Sequence, residues 1–335
     1  MKKVLLIGGA GYVGNVIAEY LLSHNYQVLV YDNFIYDHNF TNNHLIEKNN
    51  YKFVNGDIRN LSTLNDLILD IDSVVILAGL VGDPITKKHP ELSNSINLNG
   101  IQSCIDFFDD KPIKNLIFVS TCSNYGLIKE NELADELFQL NPLSLYAEAK
   151  VEAEKYLLNK KDKVHYAATV LRFATAFGLS SRMRFDLSIS EFVKELYLGN
   201  DLIVFDEHTW RPYCHVKDFA RLIKIVLEAN KEKVNFEVFN AGGGKNNYTK
   251  KMLIDEILDF IPDGKVSYTK NSPDPRNYRV SFDKVKNTLE FEPNFSVRDG
   301  IYELVEAFKD GRFSDVESNP LLYGNYFIAN QHHTN

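Results

Sequence analysis

A run of four apolar residues, Val4 to Ile7, leads directly into Gly8-Gly9-Ala10-Gly11-Tyr12-Val13-Gly14, and an amphipathic segment, Asn15 to His24, follows. This order reads as a strand, a glycine turn and a helix. Gly8 and Gly11 permit a tight turn and a close approach of backbone to a pyrophosphate, whose charge a helix N-terminus favours, and Gly14 lets helix and strand pack closely. A plain turn satisfies the glycine spacing equally well when nothing else is considered. Context decides between them. Asn25 tolerates the left-handed conformation and closes the helix, and the next apolar run ends in Asp32-Asn33, at the distance where an acid meets an adenosine ribose. A carboxylate there accepts bonds from both ribose hydroxyls and repels a 2′-phosphate, which favours NAD over NADP. Asp57, in Gly56-Asp57-Ile58, is placed either to bond the adenine amine or to form its own turn.

Further apolar runs repeat the beginning: Val28–Tyr31, Tyr51–Val54, Ser73–Leu77, Leu116–Ser120 and Ala167–Arg172. Continuous runs of this length suit strands buried on both faces, and the helical stretches between them predict a parallel sheet wrapped by helices. Helices are expected to begin near Tyr12, Leu61, Asn94, Ser144, Ser188, Lys217, Thr249 and Val297. Beyond about Leu179 the elements shorten and Gly, Pro and Asn increase. The expected architecture is α/β: a doubly wound parallel sheet over residues 1–178 and a smaller C-terminal α/β lobe over 179–310, with segments that can return to the core. Residues 311–335 are an aperiodic tail ending near His332 and His333, either packed on the body or loose.

With a formal charge of −8 and a pI near 5.6, the chain has no basic field to attract a phosphate backbone or an anionic membrane surface. No nucleic-acid or membrane partner is expected. Cys104, Cys122 and Cys214 have neither metal-ligand nor disulfide spacing, and the first apolar run is too short for a signal-peptide core or a span. A cytoplasmic protein without a metal site is therefore expected.

Twenty-five residues after Thr121, at the end of the fifth apolar run, stands Tyr146-Ala147-Glu148-Ala149-Lys150. Tyr146 and Lys150, four apart, share a helix face, and Ser144 is a fitting N-cap. A phenol with a reference pKa of about 10 is a poor base at neutral pH, but positive charge from Lys150 and an oxidised nicotinamide would lower it. Tyr146 could then take a hydroxyl proton while Thr121 orients the substrate oxygen. On the same helix Ala147, Val151 and Leu158, interrupted by Glu154, form a second stripe away from Ala149, Ala153 and Leu157. Two apolar sides suggest that one faces a partner subunit, as in a homodimer.

These pieces, with Asn97-Leu98-Asn99-Gly100, Tyr125-Gly126, Leu171-Arg172-Phe173 and Arg211 to Asp218, resemble the extended short-chain dehydrogenase/reductases over about residues 1 to 310, and among them the UDP-glucose 4-epimerase-like enzymes. The resemblance implies a Rossmann domain holding NAD through Gly8, Gly11, Tyr12, Val13, Gly14, Asp32, Asn33, Asp57, Ile58, Leu77, Ala78, Asn97, Tyr146 and Lys150. It implies catalysis by Thr121, Tyr146 and Lys150 on a nucleotide-diphosphate sugar. Arg211 and Arg276 are then assigned to the diphosphate, with Thr175, Arg182 and Arg184 as further substrate contacts. Oxidation at C4 through a 4-keto intermediate, followed by epimerisation, is the implied reaction.

Departures from the relatives sharpen that expectation. Thr121-Cys122-Ser123 lacks the carboxylate that sugar-nucleotide dehydratases carry beside the threonine, so water elimination is not expected unless Asp83 or Glu148 substitutes. Thr175 replaces an Asn common in relatives. The segments Leu80 to Pro84 and Ser181 to Leu187 are similar to a subgroup containing GDP-heptose 4-dehydrogenases, which makes oxidation without epimerisation the alternative.

Overall fold

The computed structural model describes residues 1–129, 132–271 and 274–329; His332 and His333 lie outside the described residues. Seven strands form the main sheet: β1 (Lys3–Ile7), β2 (Gln27–Asp32), β3 (Tyr51–Asn55), β4 (Ser73–Ile76), β5 (Asn115–Thr121), β6 (Ala167–Phe173) and a later strand, Glu237–Ala241. After β6 come β7 (Thr175–Phe177), β8 (Leu202–Phe205) and β9 (Trp210–His215), so the later strand is β10; β11 (Asn247–Thr249) and β12 (Val266–Thr269) complete the series. The main sheet runs β10-β6-β5-β4-β1-β2-β3 and is parallel throughout. It is the doubly wound α/β arrangement expected. Val4, Leu5, Leu6 and Ile7 are all buried, because helices cover both faces, and that is why the strands read as unbroken apolar runs rather than alternating ones.

Local chemistry sets the element ends. The helix Tyr12–Ser23 starts at the glycine turn and stops before Asn25, whose φ of 61° is the left-handed stop its residue type allows. Ser144 caps the helix Leu145–Leu158 by accepting the Ala147 amide at 3.3 Å. Two helix expectations need correction. Near Leu61 there is only the 3₁₀ turn Ser62–Leu64, a polar stretch with too few apolar positions for a longer helix. The helix expected from Asn94 begins at Pro90 and passes through a π-helical stretch, Ser95–Gly100, into Ile101–Phe107.

The remaining strands build two small sheets, β11-β9-β7 and β12-β8. The chain returns to the core through β10, and Tyr26 Oη donates to Glu228 at 2.8 Å, tying the early helical layer to the helix Val216–Glu228. Phe313, Val316 and Ile328 are buried, so residues 311–329 pack on the body.

The second stripe of the Tyr146 helix has an explanation within one chain. Ala147 and Val151 are buried, and Glu154, the interruption, is 2% exposed beneath Arg172. Leu158, the third residue of the stripe, is half-buried. No helix among the described residues is long and apolar enough to cross a membrane.

Candidate active site

Parallel pairing brings the C-terminal ends of the strands to one edge, and at the switch between β1 and β4 they open into a cavity of about 650 Å³. Gly8, at the end of β1, has φ of +80°, and a Cβ there would lie 2.5 Å from the Ala78 backbone. A Cβ on Gly14 would lie 2.6 Å from the Gly9 carbonyl oxygen, so the close contact Gly14 permits is with the turn itself. Gly8, Gly11, Tyr12, Val13 and Gly14 all border the cavity.

Asp32 ends β2. Its Oδ2 accepts the Ala10 amide at 3.0 Å and its Oδ1 the Phe34 amide at 2.9 Å, while burial pushes its pKa up. His38 Nε2 lies 4.0 Å away, but burial pulls His38 down to about 3, so it is neutral at physiological pH and forms no ion pair. Asn33, Asp57 and Ile58 border the same end. Asp57 Oδ1 accepts the Arg59 amide and Nε at 2.9 and 2.8 Å, and its Oδ2 accepts Arg59 Nη2 and Asn33 Nδ2 at 2.7 and 2.9 Å. With four bonds made, this carboxylate has its acceptor positions filled in the protein alone.

Leu77 and Ala78 follow β4 and line the cavity. Asn97 stands behind them at 0% exposure: its Oδ1 accepts the Leu80 amide at 2.7 Å and its Nδ2 donates to the Leu80 carbonyl at 3.0 Å. It fixes the loop that passes under the reacting groups.

Thr121, Tyr146 and Lys150 all line the cavity. Thr121 Oγ1 accepts the Ser123 amide at 3.1 Å, which leaves its hydroxyl proton available. Lys150 is 1% exposed, donates to Val119 O at 2.9 Å and sits 5.9 Å from the Tyr146 ring centroid. The protonation expectation is reversed in the protein alone. Burial raises the Tyr146 phenol, and burial likewise lowers Lys150 to about 7, so lysine's charge is itself destabilised. Cys122 is buried, donates to the Arg172 carbonyl and has a thiol pushed up by burial, so it is no nucleophile or acid/base.

Arg211 and Arg276 border the far end with Thr175. Both reach Asp274: Arg211 Nη2 donates to Oδ2 at 3.0 Å, and Arg276 Nε and Nη2 donate at 2.8 Å each. Burial opposes ionisation of Asp274, but bonds from Arg276 and the charge of Arg211 hold its carboxyl well below the usual range. Asp83, one substitute considered for the missing carboxylate, pairs with Arg276 Nη2 at 3.0 Å; Glu148, the other, is exposed and does not border the cavity. Arg182 and Arg184 also border the cavity, Arg182 over the Tyr36 ring and Arg184 close enough for its charge to act on Tyr12, Tyr36 and Tyr146.

Lys250, Tyr278, Asn325 and Tyr326 also line the cavity and were not singled out as ligand residues by sequence. Tyr278 Oη lies 3.2 Å from Ser123 Oγ. No spacing signal reveals Asn325, because it reaches the site through a contact with Val81, 244 residues away.

A family model for the NAD dependent epimerase/dehydratase family matches residues 4–242. The chain belongs to this family. It is an NAD-dependent enzyme, an extended short-chain dehydrogenase/reductase. Curated relatives include a UDP-glucuronate 4-epimerase of Thermodesulfobacterium geofontis, 27% identical over 92% of this chain and 97% of that protein. A dTDP-glucose 4,6-dehydratase of Streptomyces niveus is 26% identical over 92% of this chain and 94% of its own length. Among solved structures, the dTDP-glucose 4,6-dehydratase of Bacillus anthracis, in complex with NAD, superposes with a TM-score of 0.82 at 25% identity, covering 96% of this chain and all of the other.

The residues present fit the family's cofactor. The helix Tyr12–Ser23 has no side-chain cap and no acidic residue in its first turn, so its unpaired N–H groups and positive end face the cavity as an anion site. Asp32, which ends β2, could accept the hydroxyls of a ribose, and Lys150 and Tyr146 line the same cavity.

Proposed function

We propose that the enzyme is a nucleotide-sugar epimerase that oxidises C4 of its substrate, passes through a 4-keto sugar and restores the hydroxyl on the other face. The observation that carries this reading is that Thr121, Tyr146 and Lys150 line the same cavity, with Cys122 buried and Ser123 beside it rather than a carboxylate. The glycine turn, Asp32 and Lys150 would hold NAD, whose nicotinamide would accept hydride from C4 and return it.

Tyr146 is the proton-transfer group: its oxygen takes the C4 hydroxyl proton and returns a proton when the alcohol re-forms. Thr121 donates to the substrate oxygen and shares its developing charge. Lys150, anchored to Val119 O, supplies positive charge beside the phenol, and a bound phosphate-bearing dinucleotide would favour its charged form. Arg211 and Arg276 are suited to the diphosphate of the sugar nucleotide, because a planar guanidinium offers forked donors and both are pre-oriented by Asp274.

Net oxidation at C4 is the second reading, favoured by the loops Leu80 to Pro84 and Ser181 to Leu187, both of which reach the cavity. A screen of nucleotide sugars, with products resolved by mass and by NMR, separates the two.

A further inference from the structure

The loop after β7 docks on the first turn of the glycine helix. Tyr12 Oη donates to Gly178 O at 2.6 Å, and Ser180 Oγ donates to Tyr12 O at 2.8 Å. Both bonds are buried, and they fix Arg182 at the cofactor end of the cavity. Arg182 is 2% exposed, its guanidinium lies 5.4 Å from the Tyr36 ring centroid, and its charge acts on Asp32.

One arm of this guanidinium is held and the other is free. Nη2 donates to Gly324 O at 3.0 Å, whereas Nη1 is buried without a hydrogen-bond partner. Both ring nitrogens of His38 nearby are also buried without partners. Arg184 differs, because Asp186 takes its Nε and Nη2 at 3.0 and 2.6 Å. A buried cation with an unused donor is costly, and the cost disappears when an anion meets it. A dinucleotide with its ribose at Asp32 and its pyrophosphate at the helix N-terminus would bring such an anion here.

We infer that Arg182 is a cofactor-binding residue whose Nη1 takes an oxygen of the dinucleotide's bridging diphosphate, and that the C-terminal segment positions it through Gly324. That segment is itself anchored on both sides of the cavity: Phe185 N donates to Tyr323 O at 2.7 Å, Asn325 Nδ2 to Val81 O at 2.8 Å, and Ala329 N to Ile35 O at 3.0 Å. The inference moves Arg182 from the sugar-nucleotide end to the cofactor end. It depends on the family's NAD and not on the identity of the sugar.

The test is calorimetric binding of ADP-ribose, which carries the diphosphate, and of adenosine, which does not, by competition with NAD. Arg182→Gln should weaken ADP-ribose roughly 10- to 100-fold, the loss expected for one charge-assisted bond, and leave adenosine within about threefold. Wild-type affinity of Arg182→Gln for ADP-ribose, or an equal loss for adenosine, would overturn the inference. Should Arg182→Gln not fold, a crystal structure of the wild-type enzyme with ADP-ribose decides: a phosphate oxygen within hydrogen-bond distance of Nη1 supports it, and an Nη1 without one overturns it.

Discussion

Lys150 Nζ lies 5.9 Å from the centroid of the Tyr146 ring and donates to the carbonyl of Val119, so one buried amine is anchored to β5 beside the phenol. The pair is assembled before any ligand arrives, but with its protons misplaced for catalysis, the phenol raised and the amine lowered by burial. Tyr146→Phe removes only the phenolic oxygen. It should bind NAD as the wild type does and lose roughly 10²- to 10⁴-fold in turnover, the usual contribution of a positioned acid/base. Near wild-type turnover in a steady-state assay would reject Tyr146 as the base.

Lys150 also makes a stability prediction. Its pKa falls on folding from 10.5 to about 7, so between those values the unfolded chain binds more protons and stability rises with pH. Below pH 7 both states hold the proton and this contribution is flat. In urea unfolding of the cofactor-free protein, Lys150→Met should rise less steeply from pH 7 to 10 than the wild type. Identical slopes would mean that Lys150 folds in its charged form.

Asp32 serves the turn as well as the ribose, since it accepts the amides of Ala10 and Phe34. Asp32→Ala should weaken NAD at least tenfold by calorimetry and lessen the bias against NADP, because the carboxylate that repels a 2′-phosphate is gone. Unchanged affinity for both dinucleotides would remove Asp32 from the site.

Glu154 lies under the sheet edge with three bonds to Arg172, of which the shortest is 2.8 Å, and accepts Asn124 Nδ2 at 2.8 Å and the Ser120 hydroxyl. Arg172 Nη1 continues to Tyr125 Oη at 3.0 Å. Glu154→Ala strands a buried guanidinium and should cost about 3–5 kcal/mol in urea unfolding, the range for breaking a buried pair. A loss below about 1 kcal/mol would show that Arg172 is hydrated or re-paired.

The strands, the glycine turn, the Asn25 stop and the Ser144 cap were legible because each depends on neighbours in sequence: buried parallel strands need unbroken apolar runs, and caps need particular side chains. Glu154 was read as an interruption of a subunit-facing stripe because its partner, Arg172, comes from β6 and not from its own helix. The position of Arg182 depends on Tyr12 Oη and two backbone carbonyls, which no spacing encodes. Asn325 meets Val81 only through the fold. Contacts made by backbone groups across long separations leave no pattern in the residue types.

The central claim concerns what the site does to the sugar, and the mass of the product tests it most directly. Of the two carboxylates weighed as substitutes for the one missing beside Thr121, Asp83 is paired with Arg276, and Glu148 is exposed and does not border the cavity. Nucleotide sugars accepted by the enzyme would be incubated with NAD and the products weighed by mass spectrometry, with stereochemistry read by NMR. The account predicts an unchanged mass with an inverted sugar centre; a product lighter by one water, or lighter by two hydrogens, would contradict it.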